Sequence, residues 1–195
     1  MNKGRLEAFS DGVLAIILTI MVLEMKAPHG ETLDALSPVL PAFLSYILSF
    51  VYIGIYWNNH HHMLHTSRAV NGAILWANLH LLFWLSLIPF STAWMGENHF
   101  APMPAAVYGV VLLMASAAYT ILQRQIILFQ GESSLLKRAI GQDWKGKLSP
   151  LLYTLGVFGA FVTQWIAIFL YVTVAVLWLI PDPRIEKALT EEEPA

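Results

Sequence analysis

The side chains able to do chemistry in this chain gather in two places. Arg5, Ser10 and Asp11 stand just before an apolar stretch at residues 13–23, and His60, His61, His62 and His65 close a second apolar run. At the first place, a serine or aspartate near a helix start commonly accepts backbone N–H bonds. An arginine beside it can form an interfacial ion pair or snorkel to the membrane surface. If that helix enters a bilayer, the same groups must face protein or water, which makes them candidates for function. At the second place, His61 and His65 have the i, i+4 spacing that can put two imidazoles on one metal. No H-E-x-x-H pattern or acidic third ligand accompanies them, so a catalytic zinc site is not expected. Paired catalytic carboxylates and a G-x-S-x-G nucleophile are also missing, so the pattern does not read as an enzyme. Cysteine is absent, which removes disulfides and thiolate metal sites. No cofactor is expected.

The elements that must position these groups are membrane helices. Of the 195 residues, 57% are hydrophobic and 12% charged, whereas a soluble domain carries about 25% charged residues. The charges cluster and leave residues 39–57, 69–96, 98–123 and 148–181 without any. Runs of about 18 or more apolar residues read as bilayer spans. Residues 13–23 alone are too short, but extension to Arg5 and Met25 gives roughly 30 Å of helix, which spans. The start of the chain has no small-x-small cleavage pattern and is expected to stay in the mature protein.

Further spans are expected at residues 37–60, 69–94 and 104–123, the last with small residues Ala115 to Ala118 suited to close packing in lipid. Residues 124–147 read as a polar loop with an amphipathic stretch at 126–128. Residues 148–181 would make one helix of about 50 Å. With Gly156, Gly159, Thr163 and Gln164 in its middle, two short spans and a tight turn near residues 163–165 fit better. The expected architecture is therefore all-α and polytopic, with six transmembrane helices, the last two short and hairpin-like.

Lysine and arginine set the orientation. An inside N-terminus leaves Lys3, Arg5, Arg68, Arg124, Lys137, Arg138, Lys145 and Lys147 on the cytoplasmic side and Lys26 alone outside. Six spans also return Arg184 and Lys187 to the cytoplasm. Residues 1–181 read as one transmembrane domain of the inner membrane and 182–195 as a cytoplasmic, disordered acidic tail, with both termini in the cytoplasm. The formal net charge of −2 gives no basic surface for nucleic acid.

The segment Arg5-Leu6-Glu7-Ala8-Phe9-Ser10-Asp11-Gly12 resembles the R-x-x-x-F-S-D signature that opens the first helix of the transmembrane protein 175 family of potassium channels. Trp57-Asn58-Asn59-His60-His61 is similar to the family's W-x-x-H-H. Leu75-Trp76-Ala77-Asn78-Leu79 is similar to its L-W-x-N-L, and Ile88-Pro89-Phe90 to its L-P-F. Order, spacing and length match the prokaryotic single-repeat form, while His62 stands where the family often has arginine. The resemblance implies a homotetramer in membrane lipid that passes potassium and other monovalent cations, with the first helix of each subunit lining a central pore. It also implies that Arg5, Phe9, Ser10, Asp11, His60, His61, Trp76 and Asn78 belong to a polar network bracing that helix. Helix capping remains an alternative role for Arg5, Ser10 and Asp11, and either His60 or His61 could join Asn78. His80 could lie in the network or outside it.

Read from spacing alone, Ile16, Ile20 and Leu23 fall on one helical stripe, with Thr19 beside them. Copies of that stripe around an axis would stack apolar rings that close a pore by dewetting. The same stripe could instead pack against neighbouring helices. The family's apolar constriction falls on Ile16 by resemblance and its hydroxyl layer on Thr19. The competing function is a secondary transporter or proton-coupled permease using Asp11 and a histidine. Such folds usually carry internal repeats, and none is visible here.

Overall fold

A computed structural model describes residues 3–67, 69–131, 134–141 and 143–179. The regular structure among these residues is all helical, with no strand. In chain order they form α1 (Lys3–Leu23), a 3-10 segment (Leu33–Val39), α2 (Leu40–His65), α3 (Gly72–Ser86), α4 (Ile88–Glu97), α5 (Pro102–Gln130), α6 (Leu135–Ile140), α7 (Trp144–Gly159) and α8 (Gln164–Leu179). Four stretches are long and apolar enough to cross a membrane: Lys3–Leu23, Leu33–His65, Gly72–Glu97 and Pro102–Gln130. Helices α7 and α8 have 16 residues each, about 24 Å apiece, and pack against each other as a hairpin. The expected tail at 182–195 and the basic residues Arg68, Arg184 and Lys187 lie outside the described residues.

Several boundaries differ from the sequence reading, each for a local reason. The second span begins as a 3-10 turn holding Pro38, turns α-helical at Leu40 and runs on to His65. The third is two helices, because Pro89 has no N–H to give and its ring crowds the carbonyl a turn earlier. Leu87 closes the break, its N–H reaching Trp84 O at 3.2 Å. The expected loop after residue 123 is instead the last two turns of α5. Leu122 and Ile126, four residues apart, are both fully buried and carry the packed face onward past the charge of Arg124. Gly131, at φ 69, ends the helix. The hairpin turn occupies residues 160–163, slightly earlier than expected.

Small residues decide how closely the helices approach. Gly109 of α5 and Gly156 of α7 both lie against the ring of Tyr171 on α8, with no room for a Cβ at either. The Tyr171 hydroxyl donates to Ala105 O at 3.2 Å, and its own carbonyl accepts from Tyr52 at 2.6 Å. Ala115 and Ala118 are fully buried on α5, whose neighbours are α3, α4, α7 and α8. Ser49 of α2 meets Thr92 of α4 at 2.6 Å and Tyr108 of α5 at 3.0 Å. In lipid, where apolar burial alone does not drive helices together, such close approach and hydroxyl bonding supply the association.

Candidate functional site

Helix α1 has two distinct faces. Leu6, Ser10, Leu14, Ile17 and Met21 are buried, at steps of three and four residues, against α2, α3 and α4. Ile16, Thr19, Ile20 and Leu23 are exposed on the other side, Ile16 at 59% and Leu23 at 75%, while adjacent Ile17 is 3% exposed. The Thr19 hydroxyl donates to Ala15 O at 2.9 Å. With its proton committed to the helix, the oxygen presents lone pairs outward.

Behind α1 the buried polar groups form one ordered chain. Ser10 Oγ donates to Leu6 O at 2.9 Å, so at Asn78 it must accept, and the Asn78 amide nitrogen donates to it at 3.0 Å. That fixes the amide: Asn78 Oδ1 faces His60 Nε2 at 2.7 Å. An amide oxygen only accepts, so Nε2 carries the proton. Ser10 and Asn78 are fully buried and His60 nearly so. The chain joins α1, α3 and α2, and every member is satisfied, as buried polar groups must be.

Other expected members of the brace stand apart from it. Asp11 is exposed, and its carboxylate accepts from Trp57 Nε1 at 3.1 Å. It does not pair with Arg5, which is also exposed. The two residues face about 120° apart around the helix at about 3.6 residues per turn. The ion pairs among the described residues are Lys3–Glu7 at 3.5 Å and Lys26–Glu97 at 3.1 Å. Phe9 and Trp76 face outward from the subunit, Trp76 with 75% of its surface exposed. His60 rather than His61 takes the place beside Asn78. His61 lies between Trp57 and His65, its ring nearly parallel to that of His65 at 6.0 Å and 12°. No group of three or more potential metal ligands is assembled among the described residues. His80 accepts from Trp84 Nε1 at 3.0 Å, away from this chain of bonds. Trp57, three residues before His60 in the motif already noted, received no role from the sequence, yet it is the donor that holds Asp11.

Comparison with known proteins identifies the family. The family model for the endosomal/lysosomal potassium channel TMEM175 matches residues 5–89, which hold all of the polar chain. A potassium channel of Chryseobacterium sp. (strain P1-3) is 59% identical over 98% of this chain and 100% of its own length. The solved structure of a lysosomal potassium-selective channel TMEM175 homolog from Chamaesiphon minutus superposes with a TM-score of 0.77. It is 26% identical and covers 92% of this chain and 97% of that one. The human endosomal/lysosomal proton channel TMEM175 is 35% identical over 43% of this chain and 19% of its own. The apolar helices, the matched motifs and a full-length relative at this identity place the chain in the TMEM175 family of potassium channels, multi-pass membrane proteins and not enzymes.

Proposed function

We propose that four copies of the chain surround a central cation pore lined by α1, with potassium as the permeating ion. The observation that carries this reading is the exposed stripe of Ile16, Thr19, Ile20 and Leu23 on a helix whose opposite face is fully packed. Around a fourfold axis Ile16 would form the narrowest apolar ring, excluding water from the closed pore because nothing polar there can hold it. Thr19 would supply a ring of hydroxyl oxygens one turn away, and Ile20 and Leu23 would extend the apolar lining. Ser10, Asn78 and His60 hold α1 from behind, while Phe9 and Trp76, exposed on the single subunit, and Arg5 would meet neighbouring copies. The name of the Chryseobacterium relative, a potassium channel, supports the choice of ion.

The subunit would cross the bilayer six times, α7 and α8 making the last two short spans, with both termini in the cytoplasm. The test is electrical recording from purified protein in a bilayer under a potassium gradient. Single-channel steps support a pore, whereas flux without steps would mean a carrier. A periplasm-active reporter fused after Ala195 should stay silent, and activity there would mean an odd number of spans.

A further inference from the structure

Two neighbouring helices carry the same exposed pattern at the same end of the bundle. On α5, Arg124 is exposed between Ile121 and Leu128, which are exposed on the same face at i−3 and i+4. On α7, Lys147 is exposed between Trp144 and Leu151, again at i−3 and i+4. The helices pack against each other, joined through α6, where Lys137 is exposed as well. Asp143, the described acid of this segment, has its carboxylate turned to the α7 N-terminus, accepting from Gly146 N at 3.1 Å.

A basic side chain with exposed apolar residues on both sides along one helix face suits a single environment, the boundary between acyl chains and headgroups. There the apolar neighbours enter lipid, and the charged tip reaches the phosphate plane. The length of α5 agrees. Its 29 residues measure about 43 Å, some 13 Å more than the hydrocarbon core, so its last turns meet the headgroups. Trp144 fits the interfacial belt that tryptophan favours.

We infer that Arg124 and Lys147, with Lys137 on the short helix between, make this end of the α5–α7 pair a binding surface for anionic phospholipids, whose headgroups carry a net negative charge that zwitterionic ones lack. A guanidinium can take two phosphate oxygens in its planar fork and an ammonium offers a point charge, and the excess of positive charge on this face favours a headgroup with net negative charge. The exposed apolar flanks distinguish this occupant from a soluble polyanion, which would leave Leu128, Trp144 and Leu151 in water. The inference needs only that α5 and α7 lie in a bilayer, and does not rest on the pore or the tetramer. With the proposed orientation, the leaflet is the cytoplasmic one. Gln130 at the end of α5 donates to Thr66 O, just past α2, at 2.7 Å, which fixes this end of α5 against the end of α2.

The test uses the full chain reconstituted in vesicles of equal phosphatidylglycerol and phosphatidylcholine, released gently and weighed by native mass spectrometry. The wild type should retain phosphatidylglycerol several-fold over phosphatidylcholine. Arg124→Gln with Lys147→Gln should bring that ratio close to one, and Lys26→Gln, at the other end of the bundle, should leave it unchanged. The charge-preserving pair Arg124→Lys and Lys147→Arg should keep most of the preference, which separates loss of the site from loss of the fold. A wild type with no preference, or a double glutamine variant that keeps it, overturns the proposal.

Discussion

Ser10 on α1 and Asn78 on α3 share a 3.0 Å hydrogen bond in which the serine accepts, because its own proton is already given to Leu6 O at 2.9 Å. That one assignment orients the asparagine and selects the His60 tautomer beyond it. The chain is directional, and each member has the partner its chemistry requires. Removing the middle therefore harms two groups, whereas removing the end harms one.

Asn78→Leu should leave the buried His60 Nε2–H without an acceptor and take from Ser10 Oγ the bond it accepts, though Ser10 keeps its bond to Leu6 O. A buried polar group left unpaired costs about 1–3 kcal/mol and a lost hydrogen bond about 1 kcal/mol, so a loss of about 2–4 kcal/mol is expected. Ser10→Ala removes a single partner, leaves one amide hydrogen without an acceptor, and should cost about 1–2 kcal/mol. Thermal unfolding of both variants in the same detergent gives the ranking. Equal midpoints would mean that the three residues do not act as one chain.

Asp11 makes a different case, since it is exposed and bound by Trp57 rather than by Arg5. Asp11→Asn keeps an oxygen able to accept from Trp57 Nε1 and should keep most of the assembly and current. Asp11→Leu loses it, and Trp57→Phe should resemble Asp11→Leu. Potassium flux from proteoliposomes with matched protein content separates the possibilities. If Asp11→Asn fails as badly as Asp11→Leu, the charge matters in its own right, and Arg5 of a neighbouring copy becomes the partner to examine.

The fold was legible where charge was absent. The uncharged run at residues 39–57 lies within a bilayer-length helical stretch, and those at 69–96 and 98–123 overlap two more over all but their first three or four residues. What sequence could not supply was helix rotation and the behaviour of helix ends. Arg124 read as the start of a loop, yet the i, i+4 pair Leu122 and Ile126 continues the packed face through it. Arg5 and Asp11 read as partners because both are charged and close in sequence, but the helix turns them apart. Ser10 and Asn78 were legible only through the family resemblance, which left His60 and His61 as alternatives beside Asn78. Trp57 was noted only as the first letter of its motif, because nothing in the spacing of α1 and α2 shows that its indole reaches Asp11. The burial of Ile17 beside exposed Ile16 is a fact of rotation, which spacing alone allowed but did not choose.

The α5–α7–α8 corner should be intolerant of bulk. Gly109 and Gly156 leave no room for a Cβ beside the Tyr171 ring, so Gly156→Leu should cost about 1–3 kcal/mol by overpacking or part the α7–α8 hairpin. Tyr171→Phe keeps the ring and loses only the bond to Ala105 O, about 1 kcal/mol. Heating each variant and following the monodisperse peak on size-exclusion chromatography reads both effects. A Gly156→Leu protein as stable as Tyr171→Phe would contradict the close packing described.

The sharpest prediction contrasts two adjacent isoleucines. Ile16 is 59% exposed on the subunit and Ile17 is 3% exposed, about 100° apart at about 3.6 residues per turn. In the proposed pore, Ile16→Asn places four amides in the narrowest ring, gives water something to hold and lowers the barrier to ions. Larger currents and weaker discrimination between potassium and sodium should follow, with oligomer yield close to wild type. Ile17→Asn instead buries an amide among α2, α3 and α4 side chains and should cut yield and stability without a leaky current. Thr19→Val removes the hydroxyl at nearly constant volume, so discrimination should fall while current does not rise. Thr19→Ser keeps the oxygen and should keep discrimination. Reversal potentials and single-channel amplitudes under potassium and sodium gradients separate the four variants. A leaky current from Ile17→Asn rather than Ile16→Asn would mean that α1 turns another face to the pore. Wild-type discrimination in both Ile16→Asn and Thr19→Val would remove α1 from the pore altogether.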